Sequence, residues 1–300
     1  MYRRVLRRPA TGPDRPGGGV PWGHLGDHVR TFDLALPASP QGRRPVRRAR
    51  VVAPDRCLVP RAHARAREGG IDGDSVATFL TLCDHARPGA VLDIGSNTGH
   101  YAFLARVYTD RPVVAFEPAP ELARVARALG TTNGLPFPVE EVALSDQPGT
   151  ATFYLSDGSD SSSSLRSGFR PSTQQIEVRM ETLDGYVGRT GTVPAVLKID
   201  TETTEPDVIR GGLHTLTEHR PWFICEVLPG RGGDVQIEAL LEPLGYLFYR
   251  LGDTVSHEPS EHLVGDPSQY NWLFAPHPVP GELWGSIAAW RAALSGAGGA

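Results

Sequence analysis

Lysine, cysteine and long apolar runs are all scarce in this 300-residue chain. Only one of its 30 basic residues, Lys198, is a lysine. The three cysteines, Cys57, Cys83 and Cys225, have no CxxC or Cys/His spacing, which argues against a disulfide framework and a structural zinc site. No stretch approaches the ~18 apolar residues that span a membrane, and the basic start lacks the apolar core of a secretory signal. We therefore expect a cytoplasmic protein with no membrane partner.

Charge is small overall but divided unevenly along the chain. The formal net charge is −4, so bulk electrostatics recruits neither nucleic acid nor an acidic membrane. Residues 1–67 nevertheless hold 15 Arg against 4 acidic residues. We predict a basic, Arg/Pro/Gly-rich extension over residues 1–66, with its first twenty residues disordered. Within it, the run Arg43–Arg50 is interpreted as a solvated basic arm, and the alternative is a polyanion-binding patch.

Short apolar runs alternate with helical windows from about residue 74, which is typical of βαβ units in a mainly parallel sheet. The predicted strands are Ala90–Ile94, Val113–Glu117, Val139–Leu144, Thr150–Leu155, Ile176–Met180, Pro194–Asp200, Trp222–Leu228, 246–251 and Tyr270–Ala275. The first predicted helix has its N-cap at Asp74 or Ser75, runs through Leu82 and ends before Pro88. The other predicted helices are 100–109, 120–130, 205–217, 234–244 and Trp284–Leu294. In such a sheet ligands bind beyond the carboxyl ends of the strands, so the chemistry is expected there.

The first of these strands runs into a glycine loop, Asp93–Gly99. Glycine lets the backbone turn sharply and approach a ligand, and the helix that follows offers free N–H groups. The next strand ends in Glu117, a carboxylate that can accept both ribose hydroxyls of an adenosine-type cofactor. Gly95 and Gly99, with Asn97 between them, miss the dinucleotide spacing G-x-G-x-x-G and match the D-x-G-x-N-x-G loop that binds S-adenosyl-L-methionine (SAM). The alternative is that both glycines serve only a turn and packing.

Several segments together resemble the FkbM-type SAM-dependent methyltransferases over about residues 70–276. The matching segments are Val91–Gly99, Phe116–Pro118, Val142–Asp146, Ser161–Leu165, Glu181–Asp184, Leu197–Glu202 with Glu205, Val208–Gly211 and Glu226–Val227. The resemblance implies a Rossmann-like α/β fold of the class I methyltransferases, with a mainly parallel seven-stranded sheet and helices on both faces. It also implies a methyltransferase domain over residues 67–277, followed by a C-terminal tail over 278–300.

The resemblance extends to individual cofactor contacts. The expected cofactor-binding residues are Asp93, Gly95, Ser96, Asn97, Gly99, Glu117, Ala143 and Ser145. Among them, Glu117 matches the ribose carboxylate, and Ala143 and Ser145 match the stretch near the adenine. The chain departs from the family text L-K-I-D-V-E-G-x-E at Thr203, which replaces the glycine. Threonine disfavours positive φ, so we expect the backbone of this loop to differ from that of the family.

The predicted strand Pro194–Asp200 places Lys198 and Asp200 on one face. A lysine inside a buried parallel strand is costly unless it is paired or lies in a solvated site. We predict Asp200, Lys198 and Glu202 as catalytic residues. Asp200 would hold the amino group of the cofactor, orient a hydroxyl acceptor or accept its proton. The alternative is that Lys198 only forms a structural ion pair with Asp200, Glu202 or Glu226.

Three further features near these residues have competing interpretations. Glu205 is interpreted as a carboxylate in the first turn of a helix, and His100 as a helix-start residue beside the cofactor rather than a general base. The run Ser161–Ser164 is either a linker or a lid on the acceptor side. No spacing demands a metal and none is predicted, although an oxygen-rich site could in principle form from three acids, Asp200, Glu202 and Glu226.

The leading hypothesis is therefore a SAM-dependent methyltransferase that methylates a hydroxyl of a small sugar- or polyketide-like acceptor in secondary metabolism. The alternatives are methylation of a carboxylate or nitrogen, a nicotinamide oxidoreductase, which the glycine spacing disfavours, and a SAM- or nucleotide-binding module without catalysis. A nucleic-acid methyltransferase would use the basic arm, but the chain lacks an N/D-P-P-Y-type motif and residues 68–300 carry a net negative charge. We therefore expect a small-molecule partner rather than nucleic acid. The oligomeric state and the acceptor are not predicted.

Overall fold

The computed structural model describes residues 29–45, 47–54, 57, 73–157, 162–252 and 257–296. The disorder predicted for the first twenty residues falls outside these ranges, as does the domain boundary predicted after residue 66. Among the described helices, none is long and apolar enough to cross a membrane.

Short strands and helices alternate through most of the described chain. The strands are β1 (Val29–Leu36), β2 (Arg47–Pro54), β3 (Ala90–Ile94), β4 (Val113–Phe116), β5 (Val139–Glu140), β6 (Ala143–Leu144), β7 (Gly149–Leu155), β8 (Gln174–Glu181), β9 (Pro194–Ile199), β10 (Trp222–Glu226), β11 (Leu247–Arg250) and β12 (Asn271–Ala275). The helices are α1 (Gly73–His85), α2 (His100–Tyr108), α3 (Pro120–Thr132), α4 (Leu183–Thr190), α5 (Glu205–Arg210), α6 (Leu213–His219), α7 (Gly233–Leu241) and α8 (Gly281–Gly296).

A seven-stranded sheet forms the centre of the molecule, with its strands in the spatial order β5-β4-β3-β9-β10-β12-β11. The first five of these strands are parallel, and β12 runs antiparallel to both of its neighbours. Every residue of β3 and β9 is buried, as expected for parallel strands that are covered on both faces. The carboxyl ends of β3, β4, β9 and β10 therefore lie side by side at one edge.

Helices cover both faces of this sheet. One core combines side chains of α1, α2, α3 and α8 with strand residues such as Val91 and Val196. The other core combines side chains of α4 to α7 with the next residues along the same strands, such as Leu92 and Leu197. Because side chains alternate across a strand, both cores require continuously apolar strands. The predicted α/β fold with a mainly parallel seven-stranded sheet is thus confirmed.

The predicted strand Val139–Leu144 is wrong as a single element. β5 borders β4 in the central sheet, whereas β6 pairs with β8 in a separate three-stranded sheet ordered β6-β8-β7. The chain crosses between the two sheets at Glu141, whose exposed carboxylate pairs with Arg127 at 2.5 Å. A charged pair of residues, Glu140 and Glu141, interrupts the apolar run at this point, and solvent solvates the carboxylate better than the sheet interior would.

The predicted helix 205–217 is also wrong as a single element, because α5 and α6 are separated by Gly211 and Gly212. A Cβ at Gly211 would overlap the carbonyl oxygen of Ser145, and one at Gly212 would lie 2.7 Å from the side chain of Leu183. The glycine pair thus permits a close approach of backbones that a continuous helix would prevent. The helix α4 was not predicted. The other predicted helices and strands from residue 73 onward begin and end within three residues of the observed bounds.

An antiparallel hairpin of β1 and β2 precedes the central sheet. Alternate residues of β2, Ala49, Val51 and Ala53, are buried, and the backbone N–H of Arg50 donates to the side-chain oxygen of Asn133, the C-cap residue of α3, at 2.7 Å. The interpretation of Arg43–Arg50 as a solvated arm is therefore wrong for its second half. A period-two pattern of small apolar residues, which the many arginines obscure, makes this segment a strand.

Candidate active site

The loop between β3 and α2 turns back across the carboxyl edge of the sheet. Gly95 and Gly99 adopt φ of 77° and 80°, and Asn97 adopts φ of 51°. A Cβ at Gly95 would overlap the backbone carbonyl of Asp200, and one at Gly99 would lie 2.8 Å from the Cβ of Ala126. Both glycines are thus required by the turn and by packing, which was the alternative interpretation. The same turn leaves Gly95 and Asn97 facing a cavity.

Glu117 fixes this loop to the end of β4. The Glu117 side chain is buried, and its two oxygens accept the backbone N–H groups of Asn97 at 2.8 Å and Ala119 at 2.9 Å. A carboxylate oxygen accepts more than one hydrogen bond. The side chain also lines the cavity, so one carboxylate can organise the loop and accept hydroxyl groups of a ligand.

A cavity of about 300 Å³ lies at the carboxyl ends of β3, β4, β9 and β10. Of the predicted cofactor residues, six line it, namely Asp93, Gly95, Ser96, Asn97, Glu117 and Ala143. Gly99 and Ser145 do not line it, because Gly99 packs on α3 and the Ser145 backbone contacts Gly211. The three predicted catalytic residues, Lys198, Asp200 and Glu202, line the opposite side. The structure therefore brings both predicted sets into one space.

Apolar and aromatic side chains complete the wall, and the sequence analysis did not assign them to the site. They are Val76, Tyr101, Phe116, Leu122, Val142, Leu144, Phe153 and Leu165. Phe116 and Val142 are adjacent to predicted cofactor residues, so their position along the chain was an available signal. Phe153 lies on β7 and Leu165 follows the serine run, and no local pattern places either beside the central sheet.

Asp93, near the end of β3, is buried and lines the cavity. Its Oδ2 accepts the backbone N–H of Ala102 at 2.9 Å, which joins β3 to the first turns of α2. Burial raises the pKa of Asp93 to about 7, although that hydrogen bond and the charge of Lys198 act in the opposite direction. Asp93 and Lys198 are direct neighbours across the β3–β9 pair.

Lys198 is almost completely buried and points toward the acceptor side of the cavity. Its Nζ donates to Oδ2 of Asp200 at 2.9 Å and lies 5.2 Å from the centre of the Tyr101 ring. The ion pair offered as the alternative is therefore present. Lys198 and Asp200 also both line the cavity, as the prediction that they are catalytic residues requires.

Asp200 is also one of three carboxylates that lie close together. One oxygen from each of Asp200, Glu202 and Glu226 lies within 4.8 Å of the other two. Burial, together with repulsion from Asp200 and Glu205, raises the pKa of Glu202 to about 8. Burial and the same acidic neighbours also raise the pKa of Glu226 well above its usual range.

Glu205 begins α5, as predicted, but it also supports the loop that carries Glu202. The buried carboxylate accepts the backbone N–H groups of Thr201 at 2.8 Å and Thr203 at 3.3 Å. Burial raises the pKa of Glu205 to about 7. The carboxylate is thus a structural anchor beneath the loop and does not line the cavity.

The loop backbone is left-handed at Thr203, the position where the family text has glycine. Glu202 and Thr203 adopt φ of 56° and 85°, so threonine does not exclude positive φ here. Positive φ is strained for a β-branched residue. Among the described atoms, the buried hydroxyl of Thr203 also has no hydrogen-bond partner. The remaining structure therefore holds this loop in a costly conformation.

The described part of the serine run lies over this loop. The Ser164 hydroxyl donates to the backbone carbonyl of Glu202 at 2.6 Å, while Ser163 and Leu165 line the cavity. This placement fits the lid interpretation better than the linker interpretation. His100 begins α2 and also lines the cavity, so its predicted position at a helix start is confirmed.

Comparison with known proteins agrees with this geometry. Residues 93–248, just over half of the chain, match the family model of the Methyltransferase FkbM domain. No curated protein matches the chain. The solved structure of methyltransferase FkbM from Methylobacillus flagellatus KT is similar at 14% identity and a TM-score of 0.42, covering 62% of this chain and 43% of that chain. This protein thus spans less than half the length of that relative.

Two further solved structures show likeness at a similar level. Precorrin-6y C5,15-methyltransferase from Geobacter metallireducens GS-15 has 10% identity and a TM-score of 0.40, covering 67% of this chain and 86% of that chain. Magnesium protoporphyrin IX methyltransferase from Synechocystis PCC 6803, crystallised with bound SAM, has 13% identity and a TM-score of 0.37, covering 67% and 76%. On the family match over residues 93–248, the protein belongs to the FkbM methyltransferase family.

Proposed function

We propose that this protein is a cytoplasmic enzyme of secondary metabolism that transfers the methyl group of SAM to a hydroxyl oxygen of a small-molecule acceptor. The observation that carries the proposal is the shared cavity. Glu117 and Asn97 line one side, Lys198 and Asp200 line the other, and about 300 Å³ lies between them. A cavity of this size is at the lower end of small-ligand sites.

The residues at the cofactor end fit SAM. The Glu117 carboxylate can accept the ribose hydroxyls, since it faces the cavity while its backbone contacts hold the loop. Phe116, Leu122 and Val142 offer an apolar surface for the adenine. When bound, SAM supplies a methyl carbon that is already electrophilic, so the protein mainly has to align the acceptor and exclude water.

The residues at the other end fit a hydroxyl acceptor. Asp200 accepts the hydroxyl hydrogen, orients the oxygen and takes the proton as the oxygen–carbon bond forms. Lys198 holds the Asp200 carboxylate at 2.9 Å, and Leu165 excludes water from the side of the serine run.

A screen of hydroxylated sugars and polyketide-like compounds with methyl-labelled SAM tests the proposal. Asp200→Asn should lower turnover by ~10²-fold or more, the scale of a positioned acid–base group, while its affinity for S-adenosylhomocysteine changes little. Asp110→Asn, at a highly exposed carboxylate outside the cavity, is the matched control and should keep full turnover. An enzyme that labels only nitrogen or carboxylate acceptors, or an Asp200→Asn protein with normal turnover, would contradict the proposal.

A further inference from the structure

The acidic end of the cavity has the geometry of a cation site. Asp200 and Glu202 follow β9, and Glu226 ends the adjacent parallel strand β10. One oxygen from each lies within 4.8 Å of the other two. Three oxygens at that limit lie about 2.8 Å from a common centre, so small rotations bring them to the roughly 2.0–2.6 Å at which Mg²⁺ and Ca²⁺ are bound.

An unsatisfied oxygen is a second and independent indication of a ligand here. Oε2 of Glu226 is buried and, within the described part of the chain, has no hydrogen-bond partner, although Glu226 lines the cavity. A buried carboxylate oxygen without a donor is costly. A cation bound at the centre of the three acids would remove that cost.

Charge points in the same direction. The ammonium of Lys198 pairs with Asp200, and the charges of Arg170 and Lys198 act on Glu202. Glu205 adds a fourth carboxylate directly beneath the loop. Acids therefore outnumber these bases around Glu226, and a divalent ion would balance them.

We propose that Asp200, Glu202 and Glu226 bind a divalent cation at the acceptor end of the cavity. The donor set consists only of carboxylate oxygens, which suits Mg²⁺, Mn²⁺ or Ca²⁺ and disfavours ions that prefer nitrogen or sulfur. A cation in this position would bind the acceptor oxygen and make its hydroxyl a stronger acid. That use rests on the proposed function, whereas binding itself can be measured without SAM or acceptor.

The experiment is a titration of the chelator-treated full-length protein with Mn²⁺, following free Mn²⁺ by electron paramagnetic resonance. We expect one saturable site, with Mg²⁺ as a competitor, and an affinity at least tenfold weaker in Glu226→Gln. Glu177→Gln, which neutralises an exposed acid on β8, is the matched control and should bind Mn²⁺ as the wild type does. Mn²⁺ should also raise the melting temperature of the wild type but not that of Glu226→Gln.

Several results would overturn the site. One is no saturable Mn²⁺ binding by the wild type up to about 5 mM, several times above the ~1 mM weak end of protein calcium sites. Another is equal binding by the wild type and Glu226→Gln. If Glu226→Gln does not fold, Glu202→Gln replaces it, with the same expected loss. A wild-type protein that binds the polyamine spermidine but does not bind Mn²⁺ would instead indicate a basic acceptor and refute the metal assignment.

A third variant separates this inference from the proposed function. Glu117→Ala should lose affinity for S-adenosylhomocysteine and keep its affinity for Mn²⁺, because the two sites use different strands. A wild-type protein that binds Mn²⁺ but not S-adenosylhomocysteine would remove the proposed function and leave the cation site in place. The reverse result would remove only the cation site.

Discussion

The two ends of the cavity use the same residue type in opposite ways. Glu117 follows β4 and Glu226 ends β10, and both line the cavity. Glu117 accepts two backbone N–H groups at 2.8 and 2.9 Å, whereas a buried oxygen of Glu226 has no partner among the described atoms. The cofactor end is thus preorganised by the backbone. The opposite end, where we propose that the acceptor and a cation bind, contains the Lys198–Asp200 ion pair and this unsatisfied oxygen.

The loops at the two ends of the cavity also differ in backbone strain. Positive φ in the β3–α2 loop falls on Gly95, Asn97 and Gly99, residues that adopt it easily. In the β9–α5 loop it falls on Glu202 and Thr203, which do not. Strain is therefore concentrated in the loop that we propose binds the acceptor, as is common at functional sites.

The largest expected effect comes from Gly95→Ala, at the point where the two loops touch. The added Cβ would overlap the Asp200 carbonyl at a residue with φ of 77°, so the backbone of one loop has to move. We expect a loss of more than ~3 kcal/mol in the free energy of unfolding, measured in urea. Gly134→Ala, with φ of 68° but open space around it, should lose only ~1–2 kcal/mol. Equal losses in both variants would show that the loops do not constrain each other.

The next effect tests the preorganised cofactor end. Glu117→Ala removes the carboxylate that holds Asn97 and faces the cavity. At ~1.5–3 kcal/mol for a hydrogen bond to a charged group, affinity for S-adenosylhomocysteine should fall at least tenfold by calorimetry. Glu218→Ala, on the exposed side of α6, should have no effect. Unchanged affinity in Glu117→Ala would remove the assignment of the cofactor end.

Protonation of Asp93 should make the free energy of unfolding depend on pH. Burial raises its pKa in the folded protein to about 7, against about 3.9 in an unfolded chain. The folded state therefore binds the proton more tightly, and the stability this contributes is lost as the pH rises through about 7. The wild type should lose stability relative to Asp93→Asn between about pH 4 and pH 7. Unfolding curves whose difference does not change with pH would contradict this expectation.

The smallest expected effect concerns strain at the acceptor end. Thr203→Gly relieves a positive φ and removes a buried hydroxyl without a hydrogen-bond partner among the described atoms. These gains outweigh the entropy cost of glycine, so the free energy of unfolding should rise by ~1 kcal/mol. Thr204→Gly, at the next residue with φ of −111°, should be destabilising. A loss in Thr203→Gly as large as that in Thr204→Gly would show that Thr203 is not strained.

The parallel core could be predicted because its signals are local. The run Pro194–Asp200 predicts a buried strand, and the segment Asp93–Gly99 predicts a loop, from the pattern of a few consecutive residues. Six of the eight predicted cofactor residues and all three predicted catalytic residues line one cavity. Their roles there stay predictions.

Other features depend on residues that are distant in sequence. The separation of β5 from β6 depends on which sheet receives Ala143, and the end of α5 depends on the approach of Gly211 to Ser145. The strand β2 was not predicted because three arginines of the strand, Arg47, Arg48 and Arg50, flank its first buried alanine, Ala49. The approach of Glu226 to Asp200 follows from the pairing of β10 with β9, which no local pattern specifies.

A crystal structure of the protein with bound S-adenosylhomocysteine tests the central claim most directly, since that claim is the placement of cofactor and acceptor at opposite ends of one cavity. The account predicts that both ribose hydroxyls donate to the Glu117 carboxylate and that the sulfur faces Asp200 and the open space beside Glu226. A ligand whose ribose lies away from Glu117, or whose sulfur points away from Asp200, would contradict it.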